Sequence, residues 1–388
     1  MSKWEMVKFE DMGLFQTGGT PTRNRPDYFE GTKPWITTPA LGPTYVDSSN
    51  ANAFLSEEAI KCSATKIIPE NSLMIGIRVG VGKVSINTVP MCTNQDIVSI
   101  SNIDTSKVSL EYLHKYVITQ QNYINSQKRG ATIQGIKTEM LKEMLIPLPP
   151  LETQQKIADV LDRAGALVEK RKVQIEKLDL LIKSQFIEMF GDPVTNPREW
   201  NVVSLSDIAQ YYNGLTYTPD EVSDKGITVL RSSNIQNGSL DFADVIKVDR
   251  IIKDRFFVVE NDILMCSRNG SSKLVGKVAL IPRLNEKMAF GAFMMIIRSK
   301  YYSYLTTFFQ TQAFRCQIVT GATTTINQIT GNMLNQIRLQ LPDQEEIDQF
   351  ADFVNQVEAQ KSLLQQSLEK LERNYKSLMQ KCFRGEIF

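Results

Sequence analysis

The segment with the strongest claim to chemistry is Gly76-x-x-x-Gly80-x-Gly82-Lys83, glycines ending in a lysine. A phosphate-binding loop needs a different glycine spacing and a Ser or Thr after the lysine to hold the metal. Val84 stands in that place, so the segment reads as a strand and a turn. The single histidine, His114, cannot form a metal-binding pair and has no partner of its own kind. Within Glu111-Tyr112-Leu113-His114-Lys115-Tyr116 it reads as a packed helix residue rather than a base. Neither a G-x-S-x-G elbow nor an H-E-x-x-H pair occurs. IPLPPLE lacks the Asn and the aromatic of an adenine methyltransferase motif, and no Gly-rich strand-loop suits S-adenosylmethionine. Glu57-Glu58 reads as surface rather than a nuclease metal site. The expectation is a chain that does no chemistry itself and holds neither cofactor nor metal.

Recognition is better represented than reaction. The first 147 residues offer Arg23, Arg25, Lys33, Arg78, Lys83, Lys128, Arg129 and Thr132. Residues 191–341 offer Arg231, Asn234, Arg268, Asn269, Lys273 and Lys277, set among Gly- and Ser-rich turns. Arg, Lys and Asn side chains pair with base edges, while Thr hydroxyls and backbone N–H groups hold phosphates. The net charge of +1 argues against a nucleic-acid partner only until it is divided along the chain. Residues 1–147 carry +1, 148–190 are neutral, 191–341 carry +3 and 342–388 carry −3. Residues 225–300 alone hold 13 basic and seven acidic side chains. An acidic tail hides a basic region.

The elements that must position these residues come in duplicate. MLKEMLIPLPPLETQQKIADVLD from Met140 matches MLNQIRLQLPDQEEIDQFADFVN from Met333, 193 positions on. The same spacing relates Glu176-Lys177-Leu178 to Glu369-Lys370-Leu371 and Phe190 to Phe383. Earlier matches need small shifts, as loop insertions produce: Gly82-Lys83-Val84 corresponds to Gly276-Lys277-Val278. The last quarter of each half is helical, with apolar residues stepping alternately by four and three. One seam runs Ile157, Leu161, Ala164, Val168, Ile175, Leu178, Ile182, interrupted by Arg171 and continued through Gln185 and Met189. The other runs Phe350, Val354, Val357, Leu364, Leu368, Leu371, Tyr375, Leu378, interrupted by Lys361. Pro149-Pro150 and Pro342 stand before the helices, and Gly191-Asp192-Pro193 ends the first. Two long seams in matching register predict an antiparallel coiled-coil pair of about 58 Å, at 1.5 Å per residue.

The fold class expected is mixed α/β: two globular segments, 1–147 and 191–341, and two spacer helices, 148–190 and 342–388, related by a pseudo-twofold repeat. Short helices are expected near Leu110–Asn122 and Tyr301–Cys316. Strands are expected at Ser72–Ile77, Asp96–Ile100 and Asp262–Cys266. With five scattered cysteines, no apolar leader in MSKWEMVKFE and no run of 18 apolar residues, a cytoplasmic protein without a membrane partner is expected.

Residues 146–193, from Pro-Pro-Leu-Glu to Phe-Gly-Asp-Pro, resemble the central helical region of the specificity (S) subunits of type I restriction–modification systems. Residues 341–388 resemble the distal helical region, without the second Pro. PDYFEGTKPW (26–35), Ala64–Pro69 and ITVLRSSNIQN (227–237) are similar to recurrent elements of that family's target-recognition domains. The resemblance implies a sequence-specific DNA-binding subunit for a bipartite double-stranded target, one half read by each domain, with the helix pair setting the gap. It implies two methyltransferase (M) subunits supplying S-adenosylmethionine, and restriction (R) subunits supplying ATP- and Mg-dependent cleavage. Two other readings stay open: a coiled-coil interaction protein that never reads DNA, and a stand-alone DNA-modifying enzyme.

Overall fold

The computed structural model describes residues 4–129, 134–318 and 327–388. Two helices, Leu151–Phe190 and Gln344–Arg384, run 40 and 41 residues without a break, or about 60 Å each. The first stops where Gly191 turns to φ +80°, a left-handed conformation that favours glycine. The chain divides into two compact units, Met1–Lys172 with Gln366–Phe388, and Val173–Gln365.

In the first unit, β1 (Leu14–Thr17), β2 (Lys33–Ile36), β3 (Leu73–Gly76), β4 (Val84–Asn87), β5 (Met91–Thr93) and β6 (Ile97–Ser101) build two sheets. One runs β1-β6-β3-β4 and closes with Tyr45–Val46. Its register sets Val98 against Thr17 and Ile97 against Gly76. The other pairs β2 with β5 in parallel, Trp35 against Cys92. Strands β3 to β6 are buried on both faces, which is why they read as apolar runs rather than alternating ones. Helix Leu110–Thr119 lies against this core, and the Tyr112 hydroxyl donates to the Pro147 carbonyl at 2.6 Å. The start of the first long helix is held by Gln154, fully buried. Its amide donates to Lys107 O and Pro149 O and accepts from Ser109 N.

In the second unit, β7 (Gln210–Asn213), β8 (Ile227–Leu230), β9 (Ile263–Cys266), β10 (Val278–Leu280), β11 (Met288–Phe290) and β12 (Met294–Arg298) repeat the plan. The order is β7-β12-β9-β10, beside a parallel β8–β11 pair with Val229 against Ala289. The Tyr304 hydroxyl donates to Gln340 O at 2.7 Å, at the place where Tyr112 meets Pro147 in the first unit.

Two of the expected strands are a residue or two shorter than drawn, and the third, expected at Asp96–Ile100, lies one residue later at Ile97–Ser101. Both expected short helices are pairs. Leu110–Thr119 is followed by Gln121–Ser126, and Tyr302–Phe308 by Gln312–Ile318. In the second pair the Thr311 hydroxyl donates to Phe308 O at 2.7 Å, a side-chain bond to local backbone that competes with continuing the helix.

Each unit holds one stretch of the helix pair, and in both the helices run antiparallel. In the first unit Ile157 and Leu161 share a core with Met379, Cys382 and Phe383, while Lys172 meets Glu372 at 3.6 Å. In the second, Phe186 and Phe190 pack on Phe350 with ring centroids 5.7 and 5.3 Å apart. Every expected seam residue is buried or half-buried, Ile157 and Phe350 completely. Arg171 and Gln185 are half-buried, and Lys361 ion-pairs with Asp179.

Candidate nucleic-acid interface

The strand-and-turn reading of the glycine segment holds. Gly76 N donates to Lys83 O and Gly82 N to Gly76 O, both at 2.9 Å, so the chain folds back from β3 to β4. Gly80 and Gly82 sit at φ +66° and +81°, where a Cβ would be strained. This tight turn thrusts Arg78 and Lys83 into solvent. Ile136 N donates to Ile77 O at 2.8 Å, and Arg129 and Gly135 exchange two backbone hydrogen bonds of 2.9 and 3.0 Å. Arg78, Arg129 and the half-buried Lys128 therefore gather at one edge, together with Lys83. Thr132 lies outside the described residues.

The other first-lobe candidates are placed elsewhere. Arg25 donates to both oxygens of Asp27 at 2.8 and 2.6 Å, reaches Glu58 at 3.3 Å, and stacks 4.5 Å over the Tyr28 ring. Its charge is already matched within the lobe: the hydrogen bonds to Asp27 hold the guanidinium up and the Asp27 carboxyl down. Lys33 is half-buried on β2, and Arg23 is exposed.

In the second unit the turn from β9 to β10 is four residues longer, and the extra length carries Asn269 to Ser272. Arg268 and Lys273 are exposed there. Arg268 pairs by backbone with Gln328, and its Nε and Nη2 both donate to Gln328 Oε1, the former at 3.0 Å. Its guanidinium lies 5.7 Å from the ring of Phe293, which is 59% exposed. Asn269 Nδ2 donates to Ser232 Oγ at 3.2 Å, joining the Arg231–Asn234 turn to the same edge. Arg231 is half-buried and ion-pairs with Asp244 at 2.9 Å.

Two candidates are corrected here. Asn234 is fully buried, its amide donating to Asp241 O and Asp244 O while its Oδ1 accepts from Arg231 N. It holds the turn and presents nothing outward. Lys277 bends inward, donating to Ile235 O at 2.7 Å, and burial pushes its ammonium down.

The arginines stand at equivalent places in the repeat. Ile77 N donates to Asp96 O at 2.8 Å, as Ser267 N does to Phe293 O at 2.9 Å. Ile329 N donates to Ser267 O at 2.7 Å, as Ile136 N does to Ile77 O. Arg78 and Arg268 each follow that anchored residue. Sequence reasoning missed the neighbours of Arg268, namely Phe293 and Gln328, which the fold brings in from 25 and 60 positions away. It also missed an open groove in the second unit lined by Tyr212, Asn213, Arg250, Lys253, Arg255 and Phe256. The basic excess of residues 225–300 was the available signal for that groove. Arg250 there is bound to Glu221 at 2.9 Å.

The model of the type I restriction modification DNA specificity domain matches the chain twice, at residues 1–177 and 197–373. The chain belongs to this family. Among its relatives, the MjaIX specificity subunit of Methanocaldococcus jannaschii is 29% identical over 302 residues, 72% of this chain and 69% of that protein. The MjaVIII specificity subunit of the same organism is 21% identical across 99% of this chain and 93% of its own length. The fold is shared with the solved S subunit of M. genitalium, at TM-score 0.52 and 14% identity over 98% of this chain and 96% of that one. A second solved chain, from a study of type I R-M complex assembly, has TM-score 0.59 and 17% identity over 99% and 98%. The chain is thus a type I specificity subunit, a sequence-specific DNA-binding component of restriction–modification. No helix among the described residues is long and apolar enough to cross a membrane.

Proposed function

We propose that each lobe reads one half of a bipartite double-stranded DNA target and that the antiparallel helix pair sets the unread gap. The observation that carries this reading is the repeat itself: two lobes of one plan, each presenting an exposed arginine and lysine from the same turn, each joined to a seam of uninterrupted helix. Two M subunits dock on the outer helix faces and lobes, hold S-adenosylmethionine, and flip the target adenine out of the duplex. R subunits add ATP- and Mg-dependent cleavage. The chain itself is a non-catalytic, cytoplasmic subunit without a cofactor. Support for a helical partner comes from the second unit, where Val173, Leu180 and Ile187 recur at heptad spacing on an exposed face of the first long helix. Such a stripe suits an apolar seam on another helix.

The test is a ruler experiment on the full complex. One heptad inserted at matching points in both long helices adds about 10.5 Å, or roughly three base pairs at about 3.4 Å each. Sequencing of methylated sites should then return the same half-sites with a gap wider by about three. An unchanged gap would show that the helices are not the spacer. Turnover by the isolated chain, with metal or S-adenosylmethionine supplied, would overturn the non-catalytic assignment.

A further inference from the structure

We propose that Arg268 reads a guanine in the half-site of the second lobe, that Gln328 fixes its guanidinium for that reading, and that Arg78 is the corresponding reader in the first lobe. This rests on the DNA reading above and goes one step further, to a named side chain and a named base.

The geometry of the second lobe leaves a specific edge of Arg268 on offer. A guanidinium has five N–H donors in a rigid fork. The side edge, Nε and Nη2, is committed to the single acceptor Gln328 Oε1. The end edge, one N–H from each of Nη1 and Nη2, makes no hydrogen bond among the described residues and remains as a parallel pair of donors. In the major groove only guanine presents two adjacent acceptors, N7 and O6, to such a pair. Adenine places a donor beside its N7, and cytosine places a donor alone, so both oppose this edge. The fork is also pre-set. Gln328 is fixed by backbone pairing opposite Arg268, and the Phe293 ring lies within cation–π range of the guanidinium. A donor edge held before binding loses less rotamer freedom on contact, which favours discrimination over mere attraction.

The first lobe keeps the arginine and changes its company. Where the second lobe has Phe293, the first has Asp96, whose carboxylate lies 3.5 Å from Arg78 Nη1. Where the second has Gln328, the first has Gly135, with no side chain to grip the fork. Arg78 is therefore attracted by a carboxylate but not oriented by an amide, and its guanine preference should be the weaker of the two.

The experiment is selection of bound duplexes from a randomised gapped library by the full chain assembled with its methyltransferase. Arg268→Lys keeps the charge and removes the fork. It should relax one G·C position in one half-site, reducing discrimination there roughly tenfold to a hundredfold, and leave the other half-site untouched. Arg78→Lys should relax one position in the opposite half-site, by a smaller factor. Gln328→Ala should relax the same position as Arg268→Lys while binding to unrelated duplex is unchanged, and Gln328→Glu, which keeps the acceptor, should restore the preference. An identical selected sequence from Arg268→Lys would overturn the assignment. So would an Arg268→Ala variant that loses affinity equally for every sequence, the behaviour of a phosphate contact. A wild-type complex that selects no gapped sequence would instead bring down the DNA reading itself, and this inference with it.

Discussion

The two lobes share a plan and differ in how they are finished. At the foot of the second lobe, the end of the first long helix inserts Phe186 and Phe190 beside Tyr304 and Phe350, four rings with centroids 5.1 to 5.7 Å apart. At the foot of the first lobe, the end of the second long helix inserts Phe383 against Tyr112 and Tyr116, each at 5.2 Å. There Met379 takes the place of Phe186, and Ile157 that of Phe350. Duplication preserved the joint, and its contents then diverged within the limits of an apolar core. The opposite holds at the reading edge, where one arginine is kept and everything around it has changed. Joints tolerate exchange of like for like, whereas a reading edge gains specificity from difference.

The joint gives the largest expected effect. Phe190→Ala should cost about 3–5 kcal/mol, since Phe190 is fully buried in an aromatic cluster that cannot collapse on the cavity. Phe383→Ala should cost less, because its site is 7% exposed and flanked by the flexible Met379. Denaturant unfolding of both variants decides it; equal losses would mean that the aromatic cluster adds nothing over the mixed one.

A second contrast is electrostatic. The first lobe buries His114 and Lys115, Lys115 ion-paired to Asp162 of the first long helix. The second lobe has Thr306 and Thr307 there, with hydroxyls donating to their own helix carbonyls. Burial, reinforced by the Lys115 charge, pushes the His114 imidazole down to about 4 from its ordinary 6.5. As the pH falls from 6.5 towards 4, the unfolded chain takes up a proton that the folded lobe refuses, so stability is lost across that window and levels off below it. The loss amounts to at most roughly 3 kcal/mol. His114→Thr, copying the second lobe, should flatten the pH dependence of unfolding between 7 and 4.5. A variant that keeps the full acid sensitivity would place the responsible group elsewhere.

The seam carries the third contrast. Lys361 sits where the matching position of the first long helix has Val168, and it is bound to Asp179 with only 14% of its side chain exposed. Removing one partner of a buried pair strands the other charge, while replacing it with an apolar residue of the seam does not. Asp179→Ala leaves Lys361 only the longer contacts to Glu358 at 3.6 Å and Ser239 at 3.5 Å and should destabilise by about 1–3 kcal/mol, whereas Lys361→Val should be close to neutral. Comparable losses from both would show that the pair itself, not the stranded lysine, sets the stability.

These contrasts mark what could be read in advance. The seam was legible because a helix shows its periodicity locally: Ile157 to Ile182 and Phe350 to Leu378 line up by counting. The Gly76–Lys83 turn was legible because Gly80 and Gly82 punctuate two apolar runs. The company of each arginine was not, since Asp96, Phe293, Gly135 and Gln328 arrive through strand pairing between distant segments. For the same reason a basic residue engaged within the lobe, such as Arg25 or Lys277, looked like one that faces outward. Composition counts charges but cannot tell which are already paired.

The smallest effect tests the one lysine that the longer turn adds to the second lobe. Lys273 is exposed, makes no ion pair among the described residues, and directly follows the inserted Asn269–Ser272, at the position where the first lobe has Val79. A point charge on a flexible stem suits a phosphate rather than a base edge. Lys273→Ala should then weaken binding of every duplex by a similar factor and reduce the slope of log affinity against log salt by about 1, with the selected sequence unchanged. A change confined to one base position would make Lys273 a reader. An unchanged salt slope would remove the longer turn from the phosphate contacts, and the lobes would then differ at the reading edge only in what surrounds Arg78 and Arg268.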